Sequence, residues 1–263
     1  MGKKIDRTGE ENINNFGSKM IITKYIDNKH IDVYFPEYNW TFKDMAYSKF
    51  RSGGVKCPYE PRYYSKGYLG EGNFKTTING IHTIEFADWK SILHRCYSEK
   101  SLRKNKSYED AFVSNEFLCF QNYAQWRSEN YYEVPGERMH LDKDILCKGN
   151  KVYSRETCIF VPQRINELFV KQQNKRGKYP IGVTIDKRRN HLYSSIRITD
   201  ANGNFYNKYL GRYETPEEAF YAYKYAKEDY IKEVIDSYEG VIPEPHYSKL
   251  REAMYNYKVE ITD

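Results

Sequence analysis

Residues 139–166, MHLDKDILCKGNKVYSRETCIFVPQRIN, constrain the fold of this chain more than any other stretch. Apolar and polar residues alternate over 139–146, which predicts a strand. Period two places His140, Asp142 and Asp144 on one face and Leu141, Lys143 and Ile145 on the other. Lys148-Gly149-Asn150-Lys151 predicts a turn, Val152 and Tyr153 resume the strand, and Cys158-Ile159-Phe160-Val161 is an apolar run. Pro162 suits the first turn of a helix over 163–170 that turns Ile165, Leu168 and Phe169 inward. Two carboxylates on one strand face repel unless a cation or hydrogen-bond donors stand between them. Together with a histidine they suit Mg²⁺ or a similar hard divalent ion. A salt-bridged strand end accounts for the same residues without a metal.

Charge is segregated downstream. Residues 171–212 hold ten Lys or Arg against two acids, and residues 213–240 hold eight acids against three lysines. A basic segment followed by an acidic one suggests one face built for phosphate and another left to solvent. Strand patterns opening at 176–183 and continuing at 192–199 and 205–210 are separated by turn residues at 187–190 and 200–204. Thr215-Pro216-Glu217-Glu218 then reads as an N-cap, a first-turn proline and two first-turn acids, opening a helix to about Asp236. A short Pro-bounded helix is expected within 241–263.

Upstream, residues 1–15 are polar and predict no packed structure. Residues 20–26 and 30–35 are strand-like around the turn-forming Asp27-Asn28-Lys29, so a hairpin is expected, with 42–50 continuing the sheet. Lys24, Lys43, Lys49 and Arg51 could touch phosphate there or simply solvate the strands. Residues 58–82 are rich in Tyr, Gly and Pro, and their glycines follow no strand, which argues for irregular packing and against a nucleotide loop. Two helices with aromatic stripes follow, over 86–98 (Trp89, Ile92, Leu93, Cys96) and over 115–130 (Phe117, Phe120, Tyr123, Trp126), the second with Ser114 as N-cap. Arg95 is a candidate phosphate contact beside the first stripe.

No apolar run approaches the length of a membrane span, and the first residues lack a secretory apolar core. Five cysteines without a CxxC pair fit free thiols in a reducing cytoplasm and exclude zinc-ribbon spacing.

Two resemblances sharpen these expectations. The run LDKDILCKGNKVYSRETCIFVPQRINELF, with the preceding Trp89, Arg95-Cys96-Tyr97, Phe117 and Trp126, resembles the HNH-related (ββα-metal) endonuclease segment of many phage-encoded proteins. The resemblance implies Asp142 and Asn166 as ligands of Mg²⁺ or Mn²⁺. It puts Lys143 where that family carries its general-base histidine, and an ordinary lysine is protonated near neutral pH. His140 or Asp144 would have to accept the proton instead. Residues 177–236, with Gly182-Val183, Leu210-Gly211-Arg212-Tyr213 and Thr215-Pro216-Glu217-Glu218-Ala219, resemble the APETALA-type (ethylene-responsive factor) DNA-binding domain. That resemblance implies DNA contacts from Lys187, Arg188, Arg189, Arg197, Lys208 and Arg212. Where that family carries an aromatic on the second strand, this chain has Leu192.

The expected architecture is α+β. It comprises a small β-domain over 16–60 (an SH3-like or partly open barrel), an HNH-like ββα domain with flanking helices over 83–172, and a three-stranded antiparallel sheet packed on one helix over 177–240. The expected protein is cytoplasmic, binds double-stranded DNA, and cleaves it with a divalent metal if the site is active. The alternatives are a catalytically degenerate DNA-binding regulator and a phage inhibitor of a host defence system that contacts a host protein.

Overall fold

The computed structural model of the chain describes residues 5–170, 178–200 and 204–261. The fold is mixed α+β with several small sheets. By contacts the chain divides into two units, one of residues up to Glu129 with Lys151–Arg155, the other of Asn130–Asn150 with Glu156–Asp263.

In the first unit, β1 (Glu11–Ile13), β2 (Lys19–Asp27), β3 (His30–Phe35) and β4 (Trp40–Met45) form an antiparallel meander in that order, with β1 and β4 at its edges. Helix α1 (Tyr47–Arg51) follows. The expected hairpin is present: Ile22 pairs with Val33, and Asp27 Oδ1 accepts the backbone N–H groups of Lys29 and His30 in its turn. Alternation sends Met20, Ile22, Ile31, Val33 and Phe35 into one core with Met45, Phe50, Val55 and Cys57.

Two expectations change here. Residues 11–13 pair as an edge strand despite their polarity. Asn12 Nδ2 donates to the Phe50 carbonyl and Asn14 Nδ2 to that of Val55, so side-chain amides anchor the segment where apolar burial does not. The sheet pattern over 42–50 ends at Met45, and the chain turns helical to bury Phe50.

After the short hairpin β5 (Thr77–Ile78) and β6 (Ile81–His82) come α2 (Ile84–Tyr97), α3 (Glu99–Lys104), β7 (Phe112–Val113), α4 (Asn115–Leu118) and α5 (Phe120–Asn130). Thr83 caps α2 by accepting from Phe86 N, and Ser114 caps α4 by accepting from Phe117 N. Trp89, Phe117, Phe120, Tyr123 and Trp126 are buried together, and Trp89 Nε1 donates to the Phe117 carbonyl at 2.8 Å. Such rings each remove about 150–250 Å² from water, which makes this aromatic cluster the main hydrophobic support of the helices. The single helix expected over 115–130 is broken at Cys119, which is extended and bridges to Tyr68. Phe120 N donates to Tyr68 O there, so the irregular 58–82 segment claims the backbone group that would have continued the helix.

The chain then forms β8 (Met139–Asp142) in the second unit, passes through the first as β9 (Val152–Tyr153), and re-enters the second as β10 (Ile159–Pro162) and α6 (Gln163–Leu168). The structure corrects the expected pairing here. Strand β9 does not fold back on β8; it pairs in parallel with β7, and β8 pairs antiparallel with β10. Strands β11 (Val183–Asp186), β12 (His191–Thr199) and β13 (Phe205–Tyr213) form the three-stranded antiparallel sheet. Arg176 and Gly177, where that pattern was expected to open, lie outside the described residues.

Helix α7 (Pro216–Asp236) packs on the sheet with Ala219, Phe220, Tyr223 and Tyr230 buried. Its start is a reciprocal capping box of Thr215 and Glu218. Gly182 holds φ at +79°, and a Cβ there would sit 2.1 Å from the Tyr223 ring, so the chain passes the helix as closely as a backbone can. Helix α8 (His246–Asn256) lies against α7.

Candidate functional site

Strand β8, strand β10 and helix α6 bring together one half of the expected cluster. Asp142 and His140 stand two apart on β8, opposite Ile159 and Val161, so they share a face. Asn166 lies on α6, and its Nδ2 is 3.3 Å from His140 Nδ1. The strand stops at Asp142, however, because that carboxylate takes over the local backbone. Asp142 Oδ1 accepts the N–H groups of Asp144 at 2.6 Å and Ile145 at 2.7 Å, folding the chain into a turn. Asp144 therefore leaves the face of His140 and Asp142 and stands exposed in the turn, contrary to the period-two expectation. Desolvation pushes the Asp142 carboxyl above the usual carboxylate range, against the two backbone donors that pull it down.

Lys143 is 5% exposed. Its Nζ donates to Asp144 Oδ1 at 2.5 Å and to the Asn150 carbonyl at 2.9 Å. The lysine standing at the expected base position is thus engaged in closing its own loop. Among the described residues no group of three or more His, Cys, Asp or Glu gathers as a metal centre. A divalent ion at this place would rest on Asp142, with His140 and the Asn166 amide beside it, a donor set with a single carboxylate. Asp142 offers Oδ2, since Oδ1 is taken by the turn. A carboxylate beside an imidazole and an amide is donor chemistry that a hard divalent ion accepts, and to that extent the residues fit the ion.

The second candidate site is the face of the β11–β13 sheet turned away from α7. Cross-strand partners share a face, so the buried Ser194 and Ile196 assign their partners Gly211 and Lys208 to the α7 side. Tyr193, Ser195 and Arg197 point outward with Arg212, Tyr209 and Asn207. Between Ser194 and Ser195 the register slips by one, leaving Leu210 as the extra residue of a bulge followed by Gly211 at φ +143°. That single residue moves Arg212 to the outer face and separates it from Lys208. Of the six basic residues expected to meet DNA, Arg197 and Arg212 share the outer face, Lys187, Arg188 and Arg189 occupy the exposed β11–β12 turn, and Lys208 stands on the opposite side.

Asp186 is the one acid in the three strands, and it is turned to its own loop, where its Oδ1 accepts from Arg188 N and Arg189 N. Those donors hold its carboxyl below the usual range. A concavity of about 570 Å³ joins the turn to the sheet, lined by Lys187, Arg188, Arg189, His191, Tyr193 and Tyr209 among others. Leu192, at the place of the expected aromatic, pairs with Tyr213 on the inner side, and the adjacent Tyr193 is the aromatic that faces out. Sequence reasoning missed Tyr193, Phe205 and Tyr209 on this face. The alternation of Phe205, Asn207 and Tyr209 carried the signal.

Arg95 is half-buried beside the tyrosines, with its guanidinium on the Tyr153 hydroxyl, so it supports the aromatic core of the first unit. No helix among the described residues is long and apolar enough to cross a membrane. No protein-family model matches this chain, and no curated protein and no solved structure matches it.

Proposed function

We propose that this protein binds DNA through the outer face of the β11–β13 sheet, with Arg197, Arg212 and the Lys187–Arg189 turn contacting phosphates. The observation that carries the reading is the register: it puts Arg197 and Arg212 on one face of the sheet, whose β11–β12 turn carries Lys187, Arg188 and Arg189 beside a lone acid that is turned to its own backbone. Lys and Arg arranged this way supply affinity that falls steeply as salt rises, because each phosphate contact releases counterions. The resemblance of residues 177–236 to the APETALA-type domain agrees with it. The deciding measurement is fluorescence anisotropy of the full chain with labelled duplex DNA across a salt series. Binding that is absent, or indifferent to salt, removes the reading.

Divalent-metal-dependent cleavage of that DNA is the second reading, favoured by the 3.3 Å approach of His140 to Asn166 beside Asp142 on a strand–strand–helix frame. Asp142 and Asn166 would hold Mg²⁺ or Mn²⁺, which when bound supplies a positive charge that polarises a phosphate. His140 then serves as the proton acceptor, since an imidazole exchanges protons near neutral pH. Lys143 closes the loop through Asp144 and the Asn150 carbonyl, which makes His140 the first proton acceptor to test. Plasmid nicking in Mg²⁺ or Mn²⁺, compared between the wild type and Asp142→Ala, tests it; equal nicking by both proteins, or none by either, would sink it.

A further inference from the structure

The outer face of the β11–β13 sheet carries more than cations. Tyr209 is 60% exposed and Phe205 54%, both on strand β13. The Tyr193 and Tyr209 rings are neighbours across the strands with centroids 6.1 Å apart, and the Arg197 guanidinium lies over the Phe205 ring at 4.5 Å. The two ring positions on β13 are four residues apart, about 13 Å along the strand.

Phosphate contact does not explain these rings. A duplex hides the π faces of its bases in the stack and offers this sheet only edges and phosphates. Rings left half in water beside arginines gain most from bases whose flat faces are free, which only an unpaired strand provides. Cross-strand ring pairing also strengthens a sheet, but it rewards packing of Tyr193 on Tyr209 and leaves the exposed Phe205 unexplained. The cations on this face and in the adjoining turn argue for a polyanion as the occupant.

We infer that this face takes unpaired bases of single-stranded nucleic acid, stacking one on the Tyr209–Tyr193 pair and one on the Phe205–Arg197 pair, while Lys187, Arg188, Arg189 and Arg212 follow the phosphates. The inference rests on the reading of this face as a DNA surface and adds unpaired strands to the duplex that the face holds by its phosphates; oligothymidylate binding without duplex binding would overturn that reading and, with it, the inference.

The test uses the full chain with fluorescein-labelled oligothymidylate and, separately, a labelled duplex, at one salt concentration. Wild-type protein is expected to bind oligothymidylate. Tyr209→Leu and Phe205→Leu should each weaken that binding about tenfold, while Tyr209→Phe, which keeps the ring, restores it. Duplex binding should change less than about twofold in all three, since phosphates do not need the rings. Circular dichroism melts of the variants confirm that the sheet is intact. Duplex binding without oligothymidylate binding, or oligothymidylate binding unmoved by loss of the rings, overturns the inference and leaves the DNA reading standing. Failure to bind either nucleic acid overturns both.

Discussion

Lys143 and Asn150 hold each other across the loop that follows β8: Lys143 Nζ donates to the Asn150 carbonyl at 2.9 Å, and Asn150 Nδ2 donates to the Lys143 carbonyl at 2.7 Å. The pair closes the loop from both ends. The lysine that occupies the expected base position is therefore a structural fastener. Removing it leaves a part-buried carbonyl without its charged donor, a loss of about 2 kcal/mol. Lys143→Ala should lower the urea midpoint accordingly with little change in slope; a midpoint equal to the wild type would show that the loop does not depend on the pair.

Asp142 is expected to make stability depend on pH in an unusual direction. Its folded pKa is raised by desolvation, so its contribution is fully present below the unfolded pKa and is lost as pH rises through the folded pKa. At neutral pH the ionised group is a cost. Asp142→Asn keeps an oxygen for the Asp144 and Ile145 N–H groups and removes that cost. Its melting temperature at neutral pH should exceed that of the wild type by about 2 °C, with the advantage fading below about pH 4. Mn²⁺ should raise the melting temperature of the wild type and leave Asp142→Asn unmoved if the ion binds there. A variant less stable than the wild type at neutral pH would contradict the electrostatic account.

The sheet register separates basic residues that look equivalent in the sequence. Arg197→Ala and Arg212→Ala should each reduce the slope of log affinity for duplex DNA against log salt by about one. Lys208→Ala, on the α7 side, should leave the slope unchanged. Equal effects of Lys208 and Arg212 would mean that the two sides of the sheet are not distinguished by DNA.

Gly182 offers a test of the packing that holds this sheet. A methyl group there meets the Tyr223 ring at 2.1 Å and sits on a backbone at φ +79°. Crowding and strain together should cost about 3 kcal/mol in Gly182→Ala, read by thermal or urea unfolding. A variant as stable as the wild type would show that α7 can move off the sheet without loss.

Much of this protein is legible in its residues alone. The hairpin around Asp27, the two aromatic helical stretches, the second with Ser114 at its start, the three C-terminal strands and Thr215 as the N-cap of the last long helix follow from periodicity and local chemistry. These features depend on neighbours a few positions apart, which is the range over which a pattern can be read. Asp144 is displaced by a local turn that Asp142 closes on the backbone of the next residues, but other misread elements depend on partners far along the chain. Cys119 leaves its helix because Tyr68 takes its place in a bridge, and β9 departs from β8 because β7 pairs with it.

Local patterning settled that residues 139–146 begin as a strand bearing His140 and Asp142 on one face, and that 183–213 form a basic sheet. Tertiary structure decided that Asn166 comes to His140, and that the bulge at Leu210 puts Arg212 beside Tyr209 and leaves Lys208 behind. The physical reason is parity. A strand exchanges its faces with every residue, so one extra residue, fixed only by hydrogen bonds to a neighbouring strand, reassigns every side chain beyond it.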